Sequence, residues 1–375
     1  AEDMCDMVML GRPLLADPQW PKKAYAGRVS DIRPCIGCQE ACINEFVEGG
    51  HPMCAVNPRT SFESLYPAQL VEAPVKKKVA VVGAGPAGFE CAMAALERGH
   101  EVRLIDKADV TGGQVRLAAV PAFKADVRNY LEWMERTAVQ QRRDNPRFNL
   151  SLQTEATVQL MAEGQYDVIV CATGSRACLP DIPGIEEAVP VNQLLADLSL
   201  LEGKQEAVVI GGGLVGSETA FMLAAEFGLK VSLVEMRPHL MEGICTANRG
   251  HLIHEMEKAG VRLINCASLQ ALEAGKVMIR ANQSPSVPDP YNTWAPLLPE
   301  NVPNPLAKAM AEDWQTLELE ADLVVLATGS CPDDEFYRLM VEGYLAPDIR
   351  MIGDASHPAM ITQAARAGYR TGISL

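Results

Sequence analysis

Two stretches decide the architecture: Val79-Ala80-Val81-Val82-Gly83-Ala84-Gly85-Pro86-Ala87-Gly88 and, 128 residues further on, Ala207-Val208-Val209-Ile210-Gly211-Gly212-Gly213-Leu214-Val215-Gly216. In each, a short apolar run reads as a buried strand, and glycines then open a segment with helically spaced apolar residues. Glycines at such a turn let backbone approach a pyrophosphate, and the helix start turns unpaired N–H groups and a partial positive charge toward it. Taken alone, a Gly-rich turn merely joins a strand to a helix. Here each turn also has the carboxylate that a dinucleotide site needs. The strand Glu101–Ile105 leads into Asp106, 18 positions after Gly88, and Lys230–Val234 leads into Glu235, 19 positions after Gly216. A carboxylate at that place hydrogen-bonds a ribose hydroxyl.

The companions of the first loop separate the two sites. Thr111-Gly112-Gly113-Gln114 follows the first unit, Gly174 closes the strand Tyr166–Ala172, and Gly353-Asp354 precedes a helix expected over 358–372. Each is adequately explained as a turn or a cap. Together with Gly83, Ala84, Gly85, Gly88 and Asp106 they fit one flavin, which makes the first site FAD. The second site, with Gly211, Gly213, Gly216 and Glu235, then takes NAD(P)H. Glu235 favours NADH because a carboxylate repels a 2′-phosphate, whereas Arg237, two residues on, pulls the other way.

Working outward, strands and helices alternate from Val79 on, the pattern of a parallel sheet. Helices are expected at 87–98, 124–140, 214–227 and 247–259, and further strands at Val261–Asn265, Leu323–Ala327 and Met351–Asp354. Residues 281–315 read as a Pro-rich, aperiodic insertion. Toward the N-terminus, 60–77 reads as a connector with Pro67, Pro74 and a Lys76–Lys78 run, and residues 5–11 read as a short, mostly buried strand.

No run of about 18 apolar residues is present to span a membrane. Ala1-Glu2-Asp3-Met4 lacks the basic start of a secretory signal. The formal charge of −15 argues against nucleic acid and anionic membrane surfaces, both of which select clustered Lys and Arg. A cytoplasmic setting and a small-molecule substrate are expected, and a homo-oligomer stays open. In that setting cysteines are read as ligands rather than as a disulfide framework.

Cys35, Cys38, Cys42 and Cys54 form a C-x2-C-x3-C-x11-C array. Four thiolates this close can wrap a compact iron–sulfur cluster. Zinc is the alternative, although zinc sites more often pair two C-x2-C knuckles. A cluster beside a flavin makes chemical sense: a nicotinamide delivers a hydride pair, a flavin splits it, and a cluster passes single electrons.

This order of parts resembles the C-terminal half of the multi-cofactor Old Yellow Enzyme-like NADH:flavin oxidoreductases, a group with 2,4-dienoyl-CoA reductase, 2-enoate reductase and trimethylamine dehydrogenase. Asp6-Met7-Val8-Met9-Leu10-Gly11-Arg12-Pro13-Leu14-Leu15-Ala16-Asp17-Pro18 looks like the last strand and loop of their FMN-binding barrel. The resemblance implies that Gly11 and Arg12 face the FMN phosphate and that the four cysteines hold a [4Fe–4S] cluster. It further implies electron flow from NAD(P)H through FAD and the cluster to FMN, for reduction of an activated C=C bond. Glu235-Met236-Arg237-Pro238 and the stretch at Asn304-Pro305-Leu306-Ala307-Lys308 look most like the enoate-reductase branch. Only the end of the barrel is present, so the chain reads as a fragment without an assignable catalytic acid.

The expected fold is therefore α/β: two Rossmann-like dinucleotide-binding domains preceded by the end of a TIM barrel and an iron–sulfur segment. The expected boundaries are 1–30 (barrel end), 31–76 (cysteine segment and linker), 77–200 and 321–375 (FAD) and 201–320 (NAD(P)H). A diaphorase subunit feeding a separate acceptor, and amine dehydrogenase or demethylase chemistry, are the alternative activities.

Overall fold

The structure is a computed structural model that describes residues 6–273, 275–294, 302, 305 and 309–375. The chain divides into two compact units. The first runs up to Ala119 and adds Lys124–Arg176 and Cys331–Leu375, whereas the second is built from Val120–Phe123 and Ala177–Ser330.

The first unit is organised on a five-stranded sheet in the order Asp348–Met351, Val168–Cys171, Lys78–Val82, Glu101–Ile105, Phe148–Ser151, with every pair parallel. Lys78–Val82 is central because it is apolar on both faces, and Val79, Ala80 and Val81 are wholly buried. An unbroken apolar run of this kind suits a parallel strand covered on two sides. The helix Pro86–Glu97 follows, with proline at its start, where the missing N–H costs nothing. Against it lies Ile361–Ile373, and glycine at the crossing is required by space. A Cβ on Gly368 would fall on the Ala87 carbonyl oxygen, and one on Gly372 would lie 2.7 Å from Ala94 Cβ. The amphipathic helix Ala125–Asp144 buries Val127, Tyr130, Trp133, Met134 and Ala138, and Trp133 meets Phe89 edge-on at 5.6 Å. Burying each such ring is worth about 1.5–3 kcal/mol.

The second unit repeats this plan. Its sheet runs Val189–Pro190, Leu323–Leu326, Glu206–Ile210, Lys230–Val234, Arg262–Ile264, again all parallel. Glu206–Ile210 occupies the place that Lys78–Val82 holds in the first unit. An antiparallel sheet of Ala267–Glu273, Lys276–Asn282 and Trp314–Glu320 is added.

Several expectations change. Residues 6–10 form no strand, and Met7, Val8 and Met9 are 88%, 71% and 98% exposed. An apolar run is held as a buried strand only when neighbours pair its backbone, and among the described residues none runs beside it; Cys5 lies outside them. The unit boundaries fall at 176/177 and 330/331 rather than at 200/201 and 320/321. The reason is that Val189–Pro190 pairs with the end of Leu323–Leu326, which draws 177–200 into the second sheet. Residues up to 76 are not separate either, since Ala16 and Val56 share one core with Val79 and Val81. The insertion expected at 281–315 is bounded by paired strands, and Asn304, Leu306, Ala307 and Lys308 lie outside the described residues. No helix among the described residues is long and apolar enough to cross a membrane.

Candidate nucleotide and cluster sites

In the first unit, the turn after Lys78–Val82 depends on two glycines. Gly83 sits at φ +107° with its α-carbon against the Ala172 carbonyl, and a Cβ on Gly88 would collide with the Gly83 carbonyl oxygen. The helix therefore starts tight against the strand end, which presents its N-terminal N–H groups at the loop. Asp106 holds this loop: its Oδ2 accepts the Ala84 N–H at 2.6 Å, and its Oδ1 accepts the Ala108 N–H at 2.8 Å. The carboxylate expected to meet a ribose thus also fixes the shape of the phosphate turn.

The other segments predicted for this site converge on it. The Gly112 N–H donates to the Ala84 carbonyl at 2.9 Å. A Cβ on Gly113 would stand 3.0 Å from Gly85 Cα, and its backbone is at φ +52°, so glycine suits the place where the two loops meet. Gln114 Nε2 donates to Ser175 Oγ at 2.7 Å, and Ser175 Oγ donates in turn to Asp354 Oδ2 at 3.3 Å. Gly174 lies within this group, its Cβ position 3.9 Å from Gln114 Nε2. Gly353 adopts φ +64° above Ala87. Burial pushes the Asp354 carboxyl above its ordinary range, partly offset by the Ala359 N–H and the Ser175 hydroxyl. Beside this site the Thr111 hydroxyl is buried with no partner among the described residues. Such a hydroxyl, and the glycine cradle around it, fit a bound polar ligand of the kind a flavin dinucleotide presents. Ser175 was not foreseen, although its place directly after Gly174 at a strand end was the available signal. His357 is exposed beside Asp354.

The second unit reproduces the turn almost atom for atom. Gly211 sits at φ +105° against the Ala327 carbonyl, and Gly216 is pressed on the Gly211 carbonyl oxygen. Gly213 opens the helix Leu214–Ala225 with free space around its α-carbon. Glu235 is only 8% exposed, with Oε2 accepting the Gly212 N–H at 2.6 Å and Oε1 the Arg237 N–H at 2.7 Å. The Arg237 guanidinium itself turns to Glu242 at 3.1 Å.

The four cysteines are half-buried in a segment that turns sharply at Gly37 (φ +67°) and Gln39 (φ +56°). Burial pushes the Cys38 thiol up to about 12, and the nearby Cys54 and Cys42 thiols add to it. Cys54 is raised by burial too, against N–H groups of Val56 and Asn57, and it feels Cys35. The Gly37 N–H points at Cys35 Sγ over 3.5 Å. All four are thus neighbours, yet among the described residues no group of three or more His, Cys, Asp or Glu converges in a metal-binding arrangement. Sulfurs gather to ligand distance around an ion that offsets their mutual repulsion. The donor set has the chemistry of a thiolate-bound metal or cluster. Arg33 braces the segment, donating to the Val56 carbonyl, pairing with the buried Glu90 at 3.1 Å and stacking 4.4 Å over Trp133. Gly11 and Arg12 are exposed and are not brought to any of these sites.

A strand–glycine–helix turn with its carboxylate, built twice, defines a protein with two dinucleotide sites. A family model for pyridine nucleotide-disulphide oxidoreductases matches residues 77–351, and the chain belongs to that family. It is 33% identical over 379 residues to an NADH oxidase of Thermoanaerobacter brockii, covering 99% of this chain and 52% of that protein. It is 30% identical to a cinnamate reductase of Clostridium sporogenes, covering 99% of this chain and 50% of the relative. Among solved structures, 2-naphthoyl-CoA reductase superposes with a TM-score of 0.81 at 28% identity, over 97% of this chain and 50% of that one. These are relatives of the multi-cofactor type that the sequence resembles, and the chain spans about half the length of the curated relatives it matches. The shared chemistry is that of an NAD(P)H-dependent flavoprotein oxidoreductase.

Proposed function

We propose that this chain is the electron-entry half of an NAD(P)H-dependent flavin and iron–sulfur reductase acting on an activated C=C bond of an enoate or enoyl-CoA type substrate. The observation that carries the reading is the doubled turn with distinct surroundings. Only the first loop is joined by Gly113, Gln114, Ser175 and Asp354, which suits the larger FAD, and the second loop is left to NADH. When bound, these groups supply hydride acceptance from NADH, its division into single electrons, and their passage through FAD and a [4Fe–4S] cluster to an FMN held elsewhere in the whole protein.

The chain's own residues bind and orient. Gly83–Gly88 and Gly211–Gly216 offer backbone N–H groups to phosphate, Asp106 and Glu235 fix those turns, and Cys35, Cys38, Cys42 and Cys54 supply sulfur ligands. The likeness to a cinnamate reductase and to 2-naphthoyl-CoA reductase supports a conjugated carboxylate or its CoA thioester as substrate. We further propose a cytoplasmic setting, with no nucleic-acid or membrane partner.

Anaerobic purification with flavin, iron and sulfide analysis tests this. FAD near one per chain, with iron and acid-labile sulfide and bleaching by NADH, is expected. Zinc in place of iron, or a folded chain without flavin, would refute the electron path.

A further inference from the structure

At the second glycine loop, charged residues outside the dinucleotide motif lie near the strand end that carries Glu235. Resting on the reading that this loop takes a nicotinamide dinucleotide, we infer that Glu242 is a specificity-determining residue that keeps Arg237 from receiving a 2′-phosphate.

Three observations combine. First, Glu235 is buried and each of its carboxylate oxygens already accepts a backbone N–H, from Gly212 and from Arg237. It is locked in place as a fixed negative charge beside the ribose position. Second, Arg237 is the only Lys or Arg between Lys230 and Arg249. Arg249 is buried and spends its guanidinium on the Leu240, Thr293 and Asn292 carbonyls. Arg237 is therefore the one cation on this stretch able to swing to a phosphate ester at the strand end, the place where an arginine accepts the NADP(H) 2′-phosphate. Third, Arg237 Nη1 lies 3.1 Å from Glu242 Oε2, with the two side chains 65% and 39% exposed.

Glu242 follows Met241, whose N–H donates to the Gly212 carbonyl at 2.9 Å. That bond ties the backbone carrying Glu242 to the glycine loop, so the carboxylate is held at the arginine's reach by main chain. The site rejects the phosphate twice over, by the Glu235 charge and by neutralising the arginine that would otherwise compensate for it.

The test is the dissociation constant of NADH and of NADPH for the full chain, measured by isothermal titration calorimetry at low salt in the parent, Glu242→Gln, Arg237→Ala and the double variant. An exposed ion pair contributes little, so Glu242→Gln is expected to lower the NADPH-to-NADH ratio of dissociation constants by about threefold to fivefold. The double variant should lose that gain, because the gain acts through Arg237. An unchanged ratio in Glu242→Gln, or a gain that survives in the double variant, overturns the inference while leaving nucleotide binding at this loop intact. Failure of the parent to bind either nucleotide overturns the functional reading and the inference with it.

Discussion

Replacing Gly88 by alanine tests the first site at its most constrained atom. The added methyl would be driven onto the Gly83 carbonyl oxygen, with Ala172 Cβ another 3.3 Å away. Neither can give way cheaply: the first is backbone in a turn at φ +107°, and the second closes a strand paired to Lys78–Val82. The helix Pro86–Glu97 must therefore shift from the sheet, yet it is also held at Ala87, Cys91 and Ala94 by Gly368 and Gly372 of the terminal helix. Overpacking of this kind costs about 1–3 kcal/mol, and the double constraint puts the expectation at the upper end. At about 1.4 kcal/mol per tenfold, 3 kcal/mol carried by the bound state weakens FAD by roughly a hundredfold. Carried by the fold instead, it lowers the melting temperature by about 6–12 °C. Flavin fluorescence titration and calorimetry read the two shares. Gly216→Ala makes the same collision in the second loop, and should weaken NADH while leaving flavin content at the parent level. If Gly88→Ala binds FAD like the parent and melts within a degree of it, the steric account of this loop is wrong.

Three further outcomes are expected. Asp106→Asn leaves one of the Ala84 and Ala108 N–H groups facing an amide NH2 instead of an acceptor, which should cost about 1–3 kcal/mol in urea unfolding; an unchanged midpoint would sink the claim that this carboxylate shapes the turn. Ser175→Ala breaks the link between Gln114 and Asp354, and should weaken FAD about fivefold, the worth of one net hydrogen bond, with no change in NADH affinity; equal losses for both would point to general destabilisation. Burial holds the Asp354 carboxyl above its ordinary range, so the native state holds its proton more tightly than the unfolded chain does, and that stabilisation is lost as pH rises through the folded value. In flavin-free protein Asp354→Asn should therefore gain thermal stability relative to the parent as pH increases; a melting-temperature difference independent of pH would count against a buried, reluctantly ionised carboxyl.

Much of this was legible because it is local. The strand, glycines, helix start and carboxylate of each site lie within 30 consecutive residues, Lys78 to Asp106 and Glu206 to Glu235, and the physics that selects them acts over that span. The convergence of Gln114, Gly174 and Asp354 was readable as companions of one ligand, but Ser175, which bonds two of them, was not, since contacts made across 61 and 179 residues leave no spacing to detect. The added sheet escaped for a related reason: the strands 276–282 and 314–320 flank a Pro-rich stretch, and their pairing is antiparallel across it. Residues 5–11 failed in the opposite direction. Their apolar run describes what the segment could bury, and burial depends on neighbours that a sequence pattern does not supply. The carboxylates at 106 and 235 stand at the strand ends where the sequence puts them, while their bonds to the turns themselves show only in coordinates.

The first unit's sheet also constrains how the chain can assemble during synthesis. Its edge strand Asp348–Met351 and covering helix Ile361–Ile373 are made after the whole of Ala177–Ser330. The unit that begins first is thus completed second, because domains fold as units once their own segments are available. Until then, the small-residue face of Pro86–Glu97 stands uncovered on a nascent chain, and the glycine loop at its head lacks Gly353 and Asp354. A released chain ending before residue 348 would carry every strand of the second unit's sheets and a first sheet short of its edge strand.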